Sequence, residues 1–99
     1  MLLGAGISDV DDSRLFDSLL ILNFASMDIR IQFGLKIKKL RNEKGWSQEA
    51  LAHKAGIDRT YLPGIESGKR NVSIVVIEKL AKAFKVDLTE IMNFKKIVK

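Results

Sequence analysis

Apolar residues recur at helical intervals from Ile29 to the end of the chain, and nowhere in this stretch do they alternate as in a strand. From about Ile29 to Lys44, Phe33, Ile37 and Leu40 stand at i, i+4 and i+7, with Lys36, Lys38, Lys39 and Arg41 expected around the remaining surface. Gly45 sits where a left-handed C-terminal cap is wanted. Ser47 is placed to cap a second helix that turns Leu51, Ala52 and Ala55 inward and stops at Gly56. Asp58 is the expected cap of a third helix, with Leu62 and Ile65 inward and Gly68 at its end. Ser73 opens a fourth, to about Lys85, whose apolar face is Val76, Ile77, Leu80, Ala81 and Phe84. Asp87 with Glu90 three residues later begins a fifth, LTEIMNF, followed by a basic tail. Five short helices with brief connections predict an all-α, compact five-helix bundle over residues 27–99.

Pro63 strains this scheme. If Asp58 caps the third helix, Pro63 is its fifth residue, where it removes an amide donor and meets the carbonyl of Arg59, at a cost of up to about 3 kcal/mol. Either the helix starts later, with Pro63 in its first turn, or it is kinked.

Residues 1–26 read as a separate N-terminal extension. The first twelve show no sustained periodicity; from Ser13 to Phe24, Leu15, Leu19 and Leu22 share a helical stripe with Phe16 and Leu20 beside it, although LLIL also fits a short strand. One reading makes Met27 the natural start and the extension dispensable. The other docks the leucine stripe on the body or on a second subunit, since that much exposed leucine invites association.

Composition narrows the function. The 99 residues are 46% hydrophobic and 29% charged, as in an ordinary globule. Without cysteine there is neither a disulfide framework nor a thiolate metal site, and the single His53 leaves too few ligands for zinc. No apolar run is long enough to span a bilayer, and no secretory signal pattern is present, so the expected compartment is the cytoplasm. Of the net charge of +5, the extension holds four aspartates against Arg14, or −3, which leaves +8 on residues 27–99. A basic module of this size suggests a polyanionic partner, because each phosphate contact releases condensed counterions. A phosphate-binding glycine loop, a metal cluster and a nucleophile beside His53 are all missing, so the chain is not read as an enzyme and no cofactor is expected.

Gly45 to Arg70 thus describes two short amphipathic helices joined by a tight turn, the second bearing polar and cationic residues suited to a DNA major groove. Phe33, Gly34, Ile37, Leu40 and Arg41, then Ser47-Gln48-Glu49, Leu51-Ala52, Ala55-Gly56 and Ile65-Glu66-Ser67-Gly68, resemble the lambda-repressor-like, Cro/C1-type helix-turn-helix family over about residues 30–94. Asp58-Arg59-Thr60-Tyr61-Leu62, with Gly64-Ile65-Glu66 and Arg70-Asn71, looks most like the controller proteins of restriction-modification systems. That resemblance implies a small dimeric regulator that binds a palindromic operator and times a nuclease after its methylase; stand-alone phage-type and antitoxin-type repressors share much of the pattern. It further implies double-stranded DNA as partner, with RNA polymerase a further candidate. Pro63 departs from the family, which usually has a small residue there.

The expected DNA-binding residues are Gln48, Arg59, Thr60, Tyr61, Lys69, Arg70 and Asn71. Arg59 suits guanine O6 and N7, Thr60 offers a hydroxyl or a methyl, and Tyr61 contacts DNA or packs. Gln48, at a helix N-terminus, and the Lys69–Asn71 loop suit phosphates. Glu66 is expected to be structural, bonded to a backbone donor or to Arg41, and Trp46 to plug the core at the turn. Ile91, Met92, Phe94 and Ile97 are the expected dimer interface, set against a role in capping the monomer's own core. A module that bridges transcription proteins without reading DNA is the competing class.

Overall fold

The computed structural model describes residues 28–95. The expectations for the 1–26 extension, for Met27 as a start and for Ile97 lie outside the described residues. Among those residues the chain is all-helical: α1 (Ile29–Lys44), α2 (Gln48–Ala55), α3 (Tyr61–Glu66), α4 (Ile74–Phe84) and α5 (Leu88–Ile91).

Side-chain caps set most of the starts. Ser47 Oγ accepts from the Ala50 amide, Ser73 Oγ from Val76, and Asp87 from Glu90 at 2.7 Å. Asp28 caps α1 through the Arg30 amide, and the Arg30 guanidinium, with that amide, holds its carboxyl at about 2. Gly45 and Gly56 end α1 and α2 in the left-handed region, both at φ 70°. Lys85 does the same for α4 at φ 59°, without a glycine to announce it.

α1 packs on α3, α2 on both α3 and α4, and α4 on α5. The core they enclose comprises Phe33, Ile37, Leu51, Ala52, Ala55, Leu62, Ile65, Leu80, Ala81, Phe84 and Ile91. Trp46 lies against its edge, stacked on Phe84 at 5.6 Å with the Lys54 ammonium over its ring.

Two expectations need correction. Lys36 does not lie on the surface: three residues after Phe33 and beside Ile37, it points inward, its stem buried and its Nζ 3.0 Å from Glu90 Oε2, which ties α1 to α5. Ile91, expected at a dimer interface, is fully buried, because α5 lies against α4 and presses this side chain into the protomer's own core.

The crossing of α1 and α3 sets the position of the third helix. Gly34 faces the end of α3 so closely that a Cβ there would collide with the Ile65 carbonyl oxygen and come within 2.8 Å of that of Glu66. Gly34→Ala is expected to push the helices apart. The overpacking costs about 1–3 kcal/mol, outweighing the gain of about 1 kcal/mol in helix propensity. Thermal unfolding checks it; a melting temperature at or above that of the wild type would contradict the close packing.

Candidate nucleic-acid interface

Thr60 and Arg59 are presented by a turn that precedes α3. Asp58 Oδ1 accepts from the Thr60 amide at 2.9 Å and from its hydroxyl at 2.8 Å, and these bonds, the amide first, lower the Asp58 pKa. The Tyr61 amide then bonds the Asp58 carbonyl and the Leu62 amide that of Arg59, three residues back in each case. Asp58 therefore caps this turn, and the α-helix begins only at Tyr61. Of the two alternatives for Pro63, the later start holds: it is the third helical residue, in the first turn, where an amide has no intrahelical partner to lose.

The side chains expected to touch DNA are distributed around this turn. Arg59, with its side chain 70% exposed, pairs with the similarly exposed Glu49 at 3.3 Å. Tyr61 is half-buried against the core, and the Arg70 guanidinium lies 4.3 Å above its ring. The amides of Lys69 and Arg70 both donate to the Gly64 carbonyl, folding the loop back on α3. Gly68, at φ 79°, lets this loop approach α1 where a Cβ would press on Ile31 at 2.7–2.8 Å. Lys69, Arg70 and Asn71 remain exposed. Tyr61, Arg70 and Asn71 share the wall of a hollow of about 260 Å³ between α3 and α4; Gln48, Arg59, Thr60 and Lys69 do not line it.

Gln48 is held rather than free. Its Nε2 donates to Glu66 Oε1 at 3.0 Å, and the same carboxylate receives the Arg41 guanidinium as a fork, Nε to Oε2 at 2.6 Å and Nη2 to Oε1 at 3.0 Å. Arg41 also donates to the Trp46 carbonyl at 2.7 Å, and Glu66 raises its pKa. One carboxylate on α3 thus fastens α1 and α2, orienting Gln48 and leaving its second amide hydrogen for a ligand. Glu66 has the structural role expected, with Arg41 the partner.

Among the residues expected at a dimer interface, Met92 is 37% exposed, Phe94 is half-buried against the core and Ile91 is buried. The largest exposed apolar side chains elsewhere on the later helices are Ile74 at 80%, Val75 at 60% and Leu88 at 49%. Sequence reading passed over Ile74 and Val75, although both fall off the inward stripe of α4. No helix among the described residues is long and apolar enough to cross a membrane.

The helix-turn-helix family matches residues 37–91. Control protein C.MunI of Mycoplasma sp is 49% identical over 67 residues, covering 67% of this chain and 90% of that protein. Control protein C.BamHI of Bacillus amyloliquefaciens is 43% identical over 68 residues, 68% of this chain and 84% of that protein. The crystal structure of the restriction-modification controller protein C.AhdI from Aeromonas hydrophila superposes with a TM-score of 0.61 at 47% identity, over 63% of this chain and 94% of that one. With the capped α2, the Asp58 turn and α3 in the arrangement described, the chain belongs to the Cro/C1-type helix-turn-helix family.

Proposed function

We propose that the protein is a sequence-specific, DNA-binding transcriptional regulator, the autoregulatory controller of a restriction-modification operon, acting as a homodimer on a palindromic operator. The observation that carries this reading is the exposed, Asp58-braced pair Arg59 and Thr60 at the entrance to α3, beside the cationic loop Lys69–Asn71. α3 enters the major groove. Arg59 reads guanine, Thr60 a neighbouring base, and Gln48, Lys69, Arg70 and Asn71 hold phosphates, with Tyr61 supporting Arg70. Residues 27–99 form the DNA-binding unit and 1–26 an extension to it. Ile74, Val75, Leu88 and Met92 are the apolar surface available for pairing two protomers, half-sites then lying about one DNA turn apart. The regulator acts in the cytoplasm, where its operator and RNA polymerase are, and performs no catalysis.

A gel-shift salt series with the full chain tests the reading, using DNA from immediately upstream of its own gene against a shuffled duplex. Selective retardation is expected, log affinity falling with log salt by about 0.9 per phosphate neutralised. Equal and shallow binding to both duplexes would exclude a sequence-specific regulator.

A further inference from the structure

The outward face of α3 carries an apolar group where a polar reader would be expected. Leu62, Ile65 and Glu66 point into the protein, so Pro63, with the two capping residues Thr60 and Ser67 that continue the helical backbone one turn before and after it, forms the opposite face, and all three are exposed. Both hydroxyl hydrogens on this face are engaged: Thr60 Oγ1 donates to Asp58, and Ser67 Oγ to the Gly64 carbonyl at 3.2 Å. The backbone offers little more. The amides of Tyr61 and Leu62 bond back to Asp58 and Arg59, and Pro63 has no amide hydrogen. The middle of the face is therefore the Pro63 ring, and beside it Gly64 adds no side chain of its own. In the major groove, the apolar feature presented by an unmodified base edge is the C5-methyl of thymine; the other marks are hydrogen-bond donors and acceptors, which a proline ring cannot satisfy.

We infer that Pro63 is a specificity-determining residue that packs its ring on a thymine C5-methyl in each half-site. The inference rests on the reading of α3 as the groove-entering helix. A spacing of three residues puts Pro63 about 4.5 Å along the helix from Thr60. The thymine accordingly lies within a base pair or two of the base that Thr60 faces. The preference is for the methyl, not for the A·T hydrogen-bonding pattern, and this separates the contact from readout by Arg59 or Thr60.

The test uses the full chain and the duplexes it selects from a random-sequence library. Each thymine of the selected site is replaced in turn by deoxyuridine, which removes only the methyl. Wild-type protein is expected to lose about fourfold in affinity at one thymine per half-site, the worth of one buried methyl. Pro63→Ser, which restores an amide in the first turn, is expected to bind thymine and uracil duplexes equally. Arg59→Ala, weaker throughout, should keep the preference for thymine. If wild type shows no uracil sensitivity, or if Pro63→Ser retains the same sensitivity, the contact is disproved while the regulator reading stands. If no sequence is selected at all, the regulator reading fails and the inference falls with it.

Discussion

Arg59→Ala is expected to lower affinity for the operator by roughly fivefold to more than a hundredfold per half-site, the worth of one bidentate contact to guanine, about 1–3 kcal/mol. The protein should fold as before. In the free state Arg59 is 70% exposed and its Glu49 partner is equally so, and an exposed pair of this kind contributes little to stability. The poverty of that interaction suits a reader: leaving Glu49 for a base costs almost nothing, and the Asp58 brace keeps the turn in place during the exchange. Arg59→Lys should recover little, because an ammonium cannot offer the planar fork that matches O6 and N7. The comparison with Lys69→Ala is diagnostic. A lost phosphate contact weakens binding to operator and shuffled DNA alike and flattens the salt slope by about one per site, whereas a lost base contact relaxes selectivity and barely touches the slope. Titrations at three or more salt concentrations separate the two. An Arg59→Ala protein that still prefers its operator as strongly as wild type would remove Arg59 from the readout.

The helix ends were legible because caps are local chemistry. Ser47, Ser73 and Asp87 each need only an amide three residues on, and Gly45 and Gly56 need only their freedom at positive φ. The start of α3 was less so. Asp58 carries the composition of a helix cap, yet its bonds to Thr60 stabilise a preceding turn, and whether a short turn continues into α-helix depends on the proline five residues later. Lys36 escaped notice because periodicity counts lysine as polar, while a lysine stem is as apolar as its neighbours when Glu90 waits at the end. Ile91 misled for the opposite reason. Counting apolar residues near the end of the chain shows that some are in excess, but only packing decides which of them the core takes, and it takes Ile91 and leaves Met92 at the surface. The residues proposed to touch DNA on the Asp58 turn and the Lys69–Asn71 loop, Arg59, Thr60, Lys69, Arg70 and Asn71, are exposed. That Gln48 is fastened to Glu66 depends on two helices meeting, which no local pattern encodes.

The junction at Glu66 should be the most sensitive polar position in the domain. Its side chain is 5% exposed and receives three hydrogen bonds, two from Arg41 and one from Gln48. Arg41→Ala would leave a buried carboxylate with a neutral amide as its remaining partner among these three, a loss of about 3–5 kcal/mol. A small domain has only about 5–15 kcal/mol to lose. Glu66→Ala should cost less, since Arg41, at 13% exposure, keeps its bond to the Trp46 carbonyl and lies nearer to water. Replacing both residues together, Arg41→Met with Glu66→Leu, should recover much of the loss, because it is the uncompensated charge and not the missing attraction that destabilises. Urea unfolding of wild type and the three variants checks this ordering. A loss below about 1 kcal/mol for Arg41→Ala would mean that water reaches the carboxylate and that the pair does not fasten the helices. If the ordering holds, the double variant has a further use. It remains folded without its carboxylate, so Gln48 loses its anchor, and any fall in DNA affinity at unchanged stability measures what orienting Gln48 contributes to phosphate binding.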